Sequence, residues 1–104
     1  MTNNHPHIPL ENLVSLSADA AEPLYQQLVQ QLRLLIVTGR VLPSSRLPSS
    51  RQLAVDMGVS RTTCTSAYQQ LLAEGLLISR QGAGIFVNTS LPAALRQGKT
   101  KPLA

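Results

Sequence analysis

Residues 47–72, LPSSRQLAVDMGVSRTTCTSAYQQLL, decide the fold. Ser49 stands three residues before Gln52, the spacing at which a hydroxyl caps a helix N-terminus and a glutamine reaches back, and Leu53, Ala54 and Met57 then form an apolar stripe. This predicts a short helix ending near Met57. Gly58 permits the left-handed conformation that a tight inter-helix turn demands, and Val59 can plug the angle between the two helices. Ser60 is a second N-cap, after which Cys64, Ala67, Tyr68, Leu71 and Leu72 line the buried side of another helix, closed by Gly75. Two short helices around a turn make a helix-turn-helix.

Working outward, residues 23–38 carry Leu24, Leu28, Leu32, Leu35 and Ile36 at three- and four-residue spacing, with Pro23 at the start and Gly39 just past the end. This predicts the first helix, with Gln26, Gln27, Gln30 and Arg33 on its solvated face. Pro43, Ser44 and Ser45 mark a turn, and Arg46-Leu47 is a candidate short strand. Beyond Gly75, the runs 76–79 and 85–87 are strand-like and are joined by Arg80-Gln81-Gly82-Ala83-Gly84, a β-hairpin. The expected architecture is mainly α with a small β-hairpin: a winged helix-turn-helix of three helices plus a wing. It occupies residues 23–87, preceded by an arm (1–22) and followed by a linker or tail (88–104) in which a short helix over 93–97 is weakly signalled. The arm holds an apolar patch of Leu13, Val14 and Leu16 without sustained period, so nothing in it compels a fixed structure.

The 104-residue chain has room for one small domain. Its formal net charge is +4, yet only 13% of residues are charged, which points to a localised basic face and away from a polybasic tail. One cysteine excludes an intramolecular disulfide and fits a reducing compartment, the cytoplasm by default. On the apolar stripe, Cys64 reads as packing and Tyr68 as a core residue rather than an acid-base catalyst. His5 and His7 have no other ligand-type residues nearby and are assigned no metal. No apolar run approaches the ~20 residues needed to span a bilayer, so no membrane partner is expected. With only Tyr25, Tyr68 and Phe86, the chain lacks the stacking platforms of single-strand binders, and duplex recognition gains.

A major groove about 12 Å wide accepts one helix whose short side chains let the backbone approach. The helix opening at Ser60 offers such a face through Thr62, Thr63, Thr65 and Ser66, with Arg61 as the fork that can read guanine. Arg51 opens the preceding helix, Arg46 can anchor a phosphate beside it, and Arg80, Gln81 and Gly82 put donors and a sharp turn at the wing. No acidic residue occurs between Leu24 and Val55, which keeps the approach free of repulsion. The same geometry also serves protein–protein contacts, so a winged-helix interaction module with weak, non-specific DNA affinity is the alternative. Paired carboxylates, a nucleophile beside a base, and a phosphate-cradling loop followed by lysine are all missing, so no enzyme activity is expected of the chain.

Tyr25-Gln26-Gln27-Leu28, Arg46-Leu47-Pro48-Ser49-Ser50-Arg51, Leu53-Ala54, Gly58-Val59-Ser60-Arg61-Thr62-Thr63, Ala67-Tyr68, Ala73-Glu74-Gly75-Leu76 and Gly82-Ala83-Gly84 closely resemble the DNA-binding domain of the GntR family of bacterial transcription regulators. The double serine of Leu47-Pro48-Ser49-Ser50-Arg51 and the Ala67-Tyr68-Gln69-Gln70-Leu71 run are most similar to the MocR/PdxR subfamily. The resemblance implies DNA contacts for Arg51, Ser60, Arg61, Thr62, Thr63, Gln81 and Gly82, with Arg46 and Ser49 as phosphate contacts. Ser44-Ser45 stand where Pro-Gly is usual, Cys64 where valine is common and Ile85 where threonine is common. In that subfamily the domain precedes a long linker and a large aminotransferase-like domain that binds pyridoxal phosphate and dimerises. The chain is therefore expected to be a fragment of a homodimeric regulator, monomeric by itself and without a cofactor of its own.

Overall fold

The computed structural model describes residues 8–89, which form three helices and a three-stranded sheet. The first helix, α1 (Leu24–Val37), starts at Pro23, which sits at the N-cap position with no side-chain cap of its own. Helix α2 (Ser50–Met57) is capped by Ser49, whose hydroxyl accepts from the Gln52 amide. Only half of the expected capping box forms, because the Gln52 side chain donates forward to Asp56 at 2.7 Å instead of back. Gly58 takes φ 70°, as the inter-helix turn requires, and the amides of Gly58 and Val59 both return to the Ala54 carbonyl. Helix α3 (Arg61–Ala73) then opens at Ser60, whose hydroxyl accepts from the Thr63 amide.

The wing is β2 (Leu77–Arg80) and β3 (Gly84–Val87), and it gains β1 (Arg46–Leu47) as a third strand in the order β1-β3-β2. β2 is displaced by one residue from the expected run, since Leu76 turns inward and is fully buried before pairing begins, and β3 starts one residue early because Gly84 pairs with Arg80. Register places Leu47 opposite Ile85 and Leu77 opposite Val87, which puts these side chains on the core face. Arg46, Ile78, Phe86, Gly84 and Arg80 take the other face. Asn88 closes the base of the hairpin, its side chain donating to the Gly75 carbonyl at 2.8 Å.

One core joins all the elements: Leu28, Leu32 and Leu35 from α1, Leu53 from α2, Cys64, Ala67, Tyr68 and Leu71 from α3, and Leu47, Leu77 and Val87 from the sheet. Each fully buried leucine contributes about 1.5–3 kcal/mol relative to exposure. Leu72, read as part of the buried stripe, is only half-buried at the edge of this cluster.

Two features of the structure depart from the reading of periodicity. Upstream of α1, a short 3-10 turn (Leu10–Asn12) carries Leu10 into the core at 0% exposure, with Val14 beside it, while the Ile8 amide donates to the Arg46 carbonyl next to β1. Gln27, assigned to the solvated face of α1, is buried. Its amide oxygen accepts from the Ser17 amide, and its nitrogen donates to the carbonyls of Ser17 and Glu22. One turn on, Gln31 pairs in the same way with both backbone groups of Ser15. The two glutamines pair with the segment much as a neighbouring strand would, which is how a polar side chain is buried without loss. The helix expected at 93–97 lies outside the described residues.

Candidate nucleic-acid interface

Helix α3 turns Cys64, Ala67, Tyr68 and Leu71 inward, so Arg61, Thr62 and Gln69 are exposed on the opposite side with Thr65 and Ser66 between them. Two interactions fix how this face is presented. The buried Tyr68 hydroxyl donates to the Pro48 carbonyl at 2.6 Å, tying the middle of α3 to the residue that precedes the α2 cap. Burial pushes the Tyr68 phenol up, so it remains a donor at any working pH. On the other side, Glu74 at the end of α3 receives a bidentate bond from Arg33 of α1, at 2.9 and 2.6 Å, and a third bond from Gln70. Arg33 is therefore engaged within the domain rather than merely solvated. Its guanidinium holds the Glu74 carboxyl below the ordinary carboxylate range.

Among the expected site residues, Arg61 and Thr62 are exposed at the opening of α3, and Ser60 and Thr63 are joined hydroxyl to hydroxyl at 2.9 Å. Those two hydroxyls shape the helix start while remaining at the surface. Ser49 and Arg51 are exposed at the opening of α2. Gln81 and Gly82 are exposed at the tip of the hairpin, where Gly82 has φ 78°. Arg46 and Arg80, far apart in sequence, are brought to one face of the sheet because Phe86 pairs with Arg46 and Gly84 pairs with Arg80. The Arg80 guanidinium lies 5.4 Å from the centroid of the Phe86 ring, within cation–π range. The Arg46 side chain passes so close to Gly84 that an added Cβ there would stand 3.1 Å from its Nε.

Gln69 was not singled out from the sequence. It lies seven residues beyond Thr62 and three beyond Ser66, a helical spacing that could have placed it on the same face. An open cleft of about 490 Å³ runs along this side, with Tyr25 of α1 on one wall and Thr62, Thr63, Ser66 and Gln69 on the other. Burial raises the Cys64 pKa, so its thiol is held in its unreactive form. Among the described residues no group of three or more histidine, cysteine or acidic side chains could hold a metal, and no helix is long and apolar enough to cross a membrane.

A helix-turn-helix packed on a three-stranded wing, with arginines at two helix openings and on the wing face, defines a winged-helix regulatory domain. The family model for bacterial regulatory proteins, gntR family, matches residues 24–87, and the chain belongs to this family. It is a domain of regulators, not an enzyme, and within the family it is MocR/PdxR-like. It is 43% identical over 83 residues to the probable rhizopine catabolism regulatory protein MocR of Rhizobium meliloti, which covers 80% of this chain and 17% of that protein. The chain thus spans about a sixth of the length of that relative. Among solved structures it is similar to YtrA from Sulfolobus acidocaldarius, a GntR-family transcription factor (TM-score 0.69, 30% identity, covering 76% of this chain and 83% of that one). It is similar also to the DNA-binding domain of AraR in complex with operator ORE1 (TM-score 0.59, 35% identity, 71% and 90% covered).

Proposed function

We propose that this chain binds duplex DNA sequence-specifically for a bacterial transcription regulator, with α3 in the major groove. The observation that supports the reading is where the exposed polar side chains fall: Arg61 and Thr62 open α3, Arg51 opens α2, and Arg46 and Arg80 share the wing face. Arg61 reads base edges with Thr62, and Ser60 and Thr63 bring the helix opening close to the groove wall. Ser49, Arg51 and Arg46 hold phosphates, while Arg80, Gln81 and Gly82 meet the backbone or minor groove at the wing. The operator complex of the AraR domain supports this reading by analogy.

In this reading residues 23–87 are the functional unit, residues 1–22 are an arm of which Ile8, Leu10 and Val14 meet the domain, and residues 88–104 lead towards a further domain. The fraction of MocR that the chain spans supports such a domain, and pyridoxal phosphate belongs there. The only lysines are Lys99 and Lys101, so the described residues offer none for that cofactor. The full-length protein acts in the cytoplasm as a homodimer, and the present chain is a monomer. The test is selection of duplexes from a randomised pool, followed by titration of Arg61→Ala at fixed salt. Affinity should fall and preference relax by about 1–3 kcal/mol at one base position. Retention of both would remove α3 as the reader.

A further inference from the structure

Phe86 is the one aromatic side chain on the wing and is not among the residues to which any DNA contact is attributed. Alternation along β3 sends Ile85 and Val87 to the core face and Phe86 to the outer face, where its cross-strand partners are Arg46 and Ile78. Outer-face aromatics are dispensable to the core. Here the ring instead carries the guanidinium of Arg80, two positions along the neighbouring strand from Ile78, at 5.4 Å. Arg80 is exposed and makes no ion pair with an acidic side chain among the described residues, where Arg33–Glu74 is the one bridge. A long, exposed arginine otherwise samples many rotamers, and ordering it on contact with a ligand costs about 0.5–1.5 kcal/mol. Stacking on a ring fixed by two flanking strands removes part of that cost in advance.

We propose that Phe86 is a positioning residue for DNA binding, holding the Arg80 guanidinium at the wing face where the wing meets the phosphate backbone. The proposal rests on the DNA-binding reading above and assigns the wing arginine a preorganised pose. Because a phosphate and a base edge both accept from a guanidinium, the ring acts on the geometry of Arg80 and not on which acceptor it meets. Its effect is on affinity, uniform across sequences.

Phe86 is the only phenylalanine in the chain. Biosynthetic replacement of phenylalanine by fluorinated analogues therefore alters this ring alone, progressively draining its π face at nearly constant size and without a mutation that threatens folding. The probe is a duplex selected by the unmodified chain, with a scrambled duplex of equal length alongside. Affinity for both should fall as fluorines are added, reaching a loss of about two- to five-fold, while the melting temperature stays in place. In an Arg80→Ala background the fluorine dependence should vanish. Phe86→Leu should reproduce the loss and Phe86→Tyr should restore binding. An unchanged affinity across the fluorinated series, or the same fluorine dependence with Arg80 removed, overturns the proposal. So does Arg80→Ala binding as tightly as the parent. If the unmodified chain enriches no duplex from the pool and binds the scrambled duplex as well as any other, the DNA reading itself fails and takes the proposal with it, an outcome distinct from a flat fluorine series on a duplex that is bound specifically.

Discussion

Replacing Gln27 by alanine tests whether the segment before α1 is a working part of the domain. Gln27 is buried and makes three bonds to the backbone of Ser17 and Glu22, between 2.7 and 2.9 Å. Each such bond is worth about 0.5–1.5 kcal/mol net, and because Ser17 and Glu22 can turn to water when the amide is gone, the lower half of that range applies. Alanine also recovers a few tenths of a kcal/mol through its higher helix propensity. The expected destabilisation is therefore about 1–2.5 kcal/mol, or a fall in melting temperature on the order of 5–15 °C for a domain of this size. Gln31→Ala removes two bonds at an exposed site and should cost under about 1 kcal/mol. Amide hydrogen exchange localises the effect: the Ser17 amide should lose protection in Gln27→Ala, and the amides of Leu13 and Val14, bonded to the Leu10 carbonyl, should follow as the turn loosens. If Gln27→Ala is no worse than Gln31→Ala, or the Ser17 amide exchanges as before, the clamp does not hold the segment and the reasoning is refuted.

Removing the Tyr68 hydroxyl with Tyr68→Phe leaves the buried Pro48 carbonyl without its donor; thermal or urea unfolding should show a loss of about 1–3 kcal/mol. Ser44 adopts φ 70° without being glycine, so Ser44→Gly should stabilise by about 0.5–1 kcal/mol in the same assay, the relief of left-handed strain exceeding the added chain entropy. The Arg33–Glu74 bridge sets a pH dependence. Glu74 has a folded pKa below its ordinary value of 4.5, so its stabilisation is complete above that pH and is lost as pH falls through the folded value. Unfolding measured from pH 6 down to about 3 should then steepen below about pH 4.5, and Glu74→Gln should be less stable at neutral pH but show a shallower acid slope.

What the sequence made legible is whatever depends on neighbours along the chain. Ser49 and Ser60 cap α2 and α3, Gly58 turns left-handed between them, and the inward stripe of α3 is Cys64, Ala67, Tyr68 and Leu71, because caps, turns and the 3.6-residue period are local physics. Gln27 escaped for the opposite reason. Periodicity sorts residues by polarity, and a glutamine beside the apolar stripe reads as solvated unless one knows that an irregular segment, ten residues upstream at Ser17, will present backbone groups to it. The wing shows the same limit at greater range. That 85–87 is a strand could be read from its composition, but that β1 pairs with it could not, and only this pairing puts Arg46 and Arg80 on one face.

The non-local pins also account for how a helix opening at a mere serine cap can present a fixed reading face. Tyr68 locks α3 to the entry of α2, so Arg51 and Arg61 keep their separation; Arg33 and Glu74 lock its far end to α1, so it cannot rotate about its axis. Neither pin uses a residue from the exposed face itself. On the DNA-binding function proposed above, Arg61, Thr62, Thr65 and Gln69 can therefore vary while the scaffold that aims them stays intact, so variants at these four positions should alter base preference with stability changes within about 0.5 kcal/mol. Selection from a randomised duplex pool alongside melting curves would check this, and a variant that loses stability by more than that while keeping its preference would place the residue in the scaffold instead.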